Sequence, residues 1–354
     1  MQKRKKKTKL SIKKIFIFMI LIILILVILL NLNKKSKLEK LGYSKSEINI
    51  INNLSNEEKN TIYKYSYNKN LIDVIKNKDY KSDKLEEYIK LLDKYDDAEL
   101  VIKYVNNYSD LELDDISIKF IDQKYFISDF LDRYKKYLNN NKNLDYEEIV
   151  RRVNSNLDYT FYEDSTKADL SKGMLTLVNK YYYLDKSYVP DDLDSVSGIY
   201  ARDSAKLKKV AKENFIKMAD DARKEGLTLK VTTGYRSYNF QSTLYNNYVK
   251  RDGVKEADTY SARPGYSEHQ LGYSADITNK DLVSFREFEN TKEYEWLLKN
   301  AYKYGFIMRY PKDKEYITGY MFESWHFRYV GLDIAKYIYE NDITYEEYYA
   351  YFIR

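Results

Sequence analysis

His269 and His326 are the only two histidines in 354 residues, and both stand in short segments rich in glycine, serine and acid. The first segment, opening at Ser261, runs SARPGYSEHQLGYSADI; the second, opening at Glu323, runs ESWHFRYVG. A catalytic zinc takes three nitrogen or oxygen ligands from protein and keeps one position open for water. His269, Asp276 and His326 supply two imidazoles and one carboxylate. Such a metal lowers the pKa of water toward about 7, and a neighbouring carboxylate takes the proton as the water attacks. Glu323, three residues before His326, is placed to be that base. A lone histidine is usually structural, but here every histidine of the chain falls inside the two motifs, which favours the metal.

The rest of the composition narrows the alternatives. There is no cysteine, so disulfides, thiolate metal sites and cysteine nucleophiles are excluded together. The formal charge is +6, but residues 1–14 carry eight Lys or Arg and no acid, leaving 6 − 8 = −2 for the remainder. A polyanion-binding body is therefore not supported, and no nucleic-acid partner is expected. At 44% hydrophobic and 32% charged, the chain can build a packed core.

The elements that must hold these residues read as α+β. Lys206 to Glu225 has helical apolar spacing and ends at Gly226, and Thr228–Thr233 alternates as a strand. Gly234, Tyr235, Arg236 and Ser237 turn into a second helix, Tyr238 to Val249. After Gly272, Tyr273, Ala275 and Ile277 point one way and Ser274, Asp276 and Thr278 the other, which puts Asp276 on the polar face of a strand. His269 lies on the loop leading in, folded back through Gly265 and Gly272. Trp325, Phe327 and Tyr329 alternate against His326, Arg328 and Val330. Strict alternation sets Glu323 on the face opposite His326, so a shared site demands a bend at Ser324.

The segments GYRSYNFQ, SARPGYSEHQLGYSADI and ESWHFRYVG resemble the VanY-type D-alanyl-D-alanine carboxypeptidases, and the LD-carboxypeptidases of the same metallopeptidase group, over roughly residues 170–340. The shared pattern, Ser-x-His-x6-Asp and then Glu-x-Trp-His, is filled in order. The resemblance implies zinc on His269, Asp276 and His326, Glu323 as general base, and substrate contacts from Arg236, Ser237, Gln241 and Ser267. A guanidinium such as Arg236 suits either a free C-terminal carboxylate or the charge growing on the scissile carbonyl. Arg309 reads equally as a second anion contact or a strand charge, Glu268 as a group behind the ligands or an exposed one, and Trp325 as packing that fixes His326. The implied activity is removal of terminal D-alanine from peptidoglycan stem peptides. The alternatives are an LD-carboxypeptidase, an endopeptidase of the same fold, or an inactive wall-binding module; the last has no need of Glu323.

Ile15 to Leu30 is unbroken apolar sequence behind the basic flank. At about 1.5 Å per residue it nearly spans a hydrocarbon layer, and the flank keeps residues 1–14 in the cytoplasm. A single-pass, uncleaved anchor with an extracellular catalytic domain is expected; the rival, a cleaved signal peptide, lacks a small-x-small site. The expected architecture is residues 1–33 as flank and transmembrane helix, 34–165 as a helical accessory region, and 166–354 as a small antiparallel sheet with flanking helices carrying zinc. Within 34–165 a weak repeat links Leu85–Asp110 with Leu131–Asp158.

Overall fold

The computed structural model describes residues 16–25 and 35–354. They fall into two compact units, one ending at Ile118 and the other running from Lys119 to Arg354. Of the expected anchor, residues 16–25 are helical with exposed apolar side chains, and the remainder lies outside the described residues. Among the described residues no helix is long and apolar enough to cross a membrane.

The first unit consists of short helices. Three of them begin with the same device: Ser36, Ser44 and Ser55 each accept from the backbone N–H three residues on, where Glu39, Glu47 and Glu58 reach back to the serine N–H. This reciprocal cap satisfies two of the donors that every helix start leaves open. Further along, α1 (Leu85–Leu92) and α2 (Ala98–Tyr108) bury Tyr88, Ile89, Val101 and Val105 between them. The Tyr88 hydroxyl donates to Asn106 Oδ1 at 2.6 Å, and Asn106 Nδ2 donates to the Asp79 carbonyl at 2.8 Å.

The same arrangement recurs in the second unit. There α3 (Leu131–Asn140) and α4 (Tyr146–Asn154) are joined by Tyr134, whose hydroxyl donates to Asn154 Oδ1 at 2.6 Å, while Asn154 Nδ2 donates to the Tyr125 carbonyl at 2.9 Å. The repeat is thus one supersecondary unit used twice, with its buried tyrosine satisfied by the same asparagine contact each time. The second copy packs with the catalytic region, so the compact unit starts at Lys119 and not at residue 166.

The core of that unit lies between α5 (Lys209–Lys224) and one face of a four-stranded sheet. The strands are β1 (Lys230–Thr233), β2 (Ser274–Thr278), β3 (Phe306–Met308) and β4 (His326–Tyr329), ordered β1-β2-β4-β3 and antiparallel throughout. Phe215, Met218 and Ala222 of α5 meet Val231, Ala275, Ile277 and Phe327. Full burial of side chains the size of Val, Met or Phe stabilises by roughly 1.5–3 kcal/mol each. The helix expected from Lys206 begins only at Lys209. Ala205–Lys208 is instead a strand paired with Leu193–Val196, because buried Ala205 and Leu207 alternate with Lys206 and Lys208. The second helix of the region, α6, spans Tyr238–Asp252, and the chain ends in α7 (Tyr345–Phe352). Glu347 of α7 is ion-paired with Arg151 of α4, and the Tyr125 and Tyr351 rings stack at 3.8 Å.

Candidate metal centre

The two motifs meet at the sheet's polar face. Asp276 on β2 is directly opposite His326 on β4, and a bulge between Val231 and Thr233 brings Thr233 of β1 against Asp276 from the other side. His269 sits just before β2 in a single 3-10 turn, Glu268–Leu271, closed by Gly272 at φ +79°. The positive φ favours glycine there, and a Cβ would also press on the Leu193 side chain, 2.8 Å from its Cδ2. The chain bends where the shared site demands it: Ser324 and Trp325 form a turn, and His326 N–H donates to the Glu323 carbonyl at 3.3 Å. Glu323 and His326 therefore face the same cleft.

One ligand atom each from His269, Asp276 and His326 lies within 4.8 Å of the others, and all three residues are buried. His269 Nε2 is 3.3 Å from Asp276 Oδ2, and His326 Nδ1 is 3.2 Å from Asp276 Oδ1. His269 Nδ1 is 2.7 Å from the Gly234 carbonyl. A carbonyl only accepts, so Nδ1 carries the proton and Nε2 presents its lone pair to the cluster. Asp276 Oδ1 is buried without a hydrogen-bond partner. Two imidazole nitrogens and an unsatisfied carboxylate oxygen converging this closely fit a divalent cation.

The two carboxylates of the site sit in opposite fields. Burial alone would raise Asp276, but the imidazoles of His269 and His326 hold it well below the usual carboxylate range. Glu323 is pushed up to about 8 by burial, with His326 lowering it and Asp276 raising it further. Glu323 Oε2 is 3.6 Å from His326 Nδ1. His269 is lowered, chiefly by burial. This pairing of a carboxylate that stays ionised with one poised near neutrality is the pattern of a ligand beside a proton acceptor.

A model of the VanY family, D-alanyl-D-alanine carboxypeptidase, matches residues 204–332, which include every residue of this cluster and Arg236. The putative carboxypeptidase YodJ of Bacillus subtilis (strain 168) is 40% identical over 205 residues, covering 54% of this chain and 75% of that protein. The chain belongs to the VanY carboxypeptidase family. A D-alanyl-D-alanine carboxypeptidase of Enterococcus faecium is 34% identical over 196 residues, or 52% of this chain and 60% of that protein. Among solved structures, the LdcB LD-carboxypeptidase is 39% identical over 53% of this chain and 91% of its own, with a TM-score of 0.49.

In this VanY-family carboxypeptidase the cluster opens on a cleft of about 1160 Å³ that Arg236, Ser267, Tyr248 and Trp325 help to line. Arg236 Nη2 lies 3.5 Å from Asp276 Oδ2, and its Nε is buried without a partner. Ser237 and Gln241, expected to touch substrate, are not part of the lining. The Ser237 hydroxyl accepts from Phe240 N–H as the N-cap of α6. Buried Gln241 accepts from Arg236 Nη1 at 2.8 Å and donates to the Ala262 carbonyl at 2.7 Å, so it holds the guanidinium from behind. Trp325 lines the cleft and stacks on Phe285 with ring centroids 4.9 Å apart. Arg309, expected as a second anion contact or a strand charge, does not line the cleft. It is fully buried and paired with Glu268 and Glu346. Glu346 carries no motif signal; only its place beside Glu347 on an otherwise tyrosine-rich helix marks it.

Proposed function

We propose that this chain is a zinc-dependent carboxypeptidase that removes the terminal D-alanine from peptidoglycan stem peptides, with His269, Asp276 and His326 as the metal ligands. The observation that carries the reading is the convergence of three ligand atoms within 4.8 Å, with an unsatisfied Asp276 oxygen among them and the Glu323 carboxylate alongside. Bound there, zinc would supply Lewis acidity to the attacking water and the scissile carbonyl. Glu323 takes the proton of that water and returns it to the departing amine nitrogen. Arg236, which lines the cleft and is steadied by Gln241, binds a carboxylate or the developing oxyanion through its guanidinium. Ser267, buried in the cleft wall, is the second substrate contact.

The basic flank and the apolar run from Ile15 support a single-pass anchor that places the remaining chain outside the cell, where its substrate lies. The direct test is mass spectrometry of stem pentapeptide and tetrapeptide after incubation with the purified protein. Loss of one alanine from the pentapeptide is expected. Loss from the tetrapeptide alone would make the enzyme an LD-carboxypeptidase, and cleavage inside the stem an endopeptidase.

A further inference from the structure

Behind the metal-facing residues lie four ionised side chains that the proposed chemistry does not use. Glu268 and Glu346 face Arg309 and Arg328, and all four are almost completely buried. Arg309 Nε donates to Glu268 Oε1 at 2.7 Å, while its Nη1 and Nη2 donate to Glu346 Oε2 and Oε1 at 2.8 and 2.6 Å. Arg328 Nη1 is 3.0 Å from the same Glu268 oxygen, and its Nη2 donates to the carbonyls of Met174 and Thr176. The two acids and two bases of this cluster balance one another.

Buried ion pairs of this kind are poor stabilisers, because apolar side chains of the same volume often serve as well or better. What a bidentate, fully hydrogen-bonded guanidinium provides is a fixed position. The group it fixes is Glu268, whose second oxygen accepts from Ser274 Oγ at 3.2 Å and faces His326 Nε2 at 3.6 Å. That Nε2 is buried and makes no hydrogen bond. Each imidazole of the cluster thus has an oxygen behind it: the Gly234 carbonyl for His269 and the Glu268 carboxylate for His326. A carboxylate in that place fixes the orientation of the ring, so that its other nitrogen, Nδ1, is the one turned toward Asp276.

We propose that Glu346, on the C-terminal helix α7, is a positioning residue for His326, acting through Arg309 and Glu268. The inference rests on the metal-site reading above. It makes the last ten residues of the chain part of the active site's support although none of them reaches the cleft.

The neighbouring Glu347 supplies the control. It is just as buried and belongs to the same helix, but it serves Arg151 and the N-terminal cap of α7, accepting from Thr344 N–H at 2.7 Å. The experiment compares Glu346→Gln and Glu347→Gln in the full chain, reading zinc affinity by competition with a chelator, the visible spectrum of the cobalt-loaded protein, and thermal stability. Glu346→Gln should raise the zinc Kd by about 10–100-fold and shift the cobalt bands. Glu347→Gln should lower Tm with zinc Kd and spectrum unchanged. If Glu346→Gln does not fold, Arg309→Lys, which cannot bridge both carboxylates, is read by the same criteria. Equal zinc affinity and identical cobalt spectra in wild type and the folded variant would overturn the proposal. Absence of stoichiometric zinc in the wild type would instead overturn the metal-site reading itself.

Discussion

Asp276 and Glu323 are both buried carboxylates at one cluster, and their surroundings assign them different tasks. Asp276 lies between two imidazoles and a guanidinium, so it stays ionised and suits a cation. Glu323 stands 3.6 Å from His326 Nδ1 outside the three convergent ligands, and burial pushes it up to about 8, so it takes up a proton far more readily than Asp276. Glu323→Gln should therefore reduce kcat by about 10²–10⁴-fold, the usual share of general-base catalysis, with zinc retained. Asp276→Asn should lose the metal. Stopped assays with parallel metal analysis decide this, and the opposite pair of results would exchange the two roles. The convergence of His269, Asp276, His326 and Glu323 on one cluster was legible in the sequence because two histidines in the whole chain leave little choice. The placement of Gln241 was not, since a buried amide hydrogen-bonded to Arg236 has the same sequence signature as one facing substrate.

A second residue-level expectation lies away from the metal. Lys180 is buried among Phe161, Tyr162 and Tyr320, donating to the Asp258 carbonyl at 2.7 Å, and burial lowers its ammonium to about 8. Between that value and its ordinary pKa of 10.5 the unfolded chain binds the proton and the folded chain does not. Stability from this group therefore rises with pH across that window, by at most about 1.4 kcal/mol per unit. Above about 10 the buried tyrosines, whose pKa values are raised, oppose it. Urea midpoints measured from pH 7.5 to 10 should climb in the wild type and flatten in Lys180→Met; parallel curves would show that Lys180 is not buried as a neutral amine.

At the scale of elements, the repeat is the instructive case. Two stretches of similar sequence were visible around Leu85 and Leu131, but not that the second copy is welded to the catalytic unit. Its partners lie some two hundred residues away, at Glu347 and Tyr351, and no local pattern carries such a contact. The Lys206 start failed for a related reason. Ala205–Lys208 has a short period-two alternation that also fits the first turn of a helix, and only pairing with Leu193–Val196 resolves it. The physical consequence is a sharper boundary. A piece beginning at residue 166 leaves the buried Glu347 without Arg151 and Tyr351 without its stacking partner. Each kcal/mol lost lowers Tm by about 2–4 °C in a domain of this size. Thermal melts of residues 119–354 and 166–354 should differ by that order, and equal melting temperatures would show the second repeat to be dispensable.

For the whole molecule, the sheet brings two distant motifs into one register, and the C-terminal helix, which packs on the second helical repeat, carries Glu346 to the ion pairs behind it. Among the described residues the cluster is built entirely from the second compact unit. Catalysis is thus concentrated in residues that the chain could not spare, and the central claim is that they hold one metal ion. Plasma mass spectrometry of the purified protein measures it directly. One zinc per chain is expected in the wild type and almost none in His269→Ala. A metal-free protein that still releases D-alanine at the full rate would contradict the account.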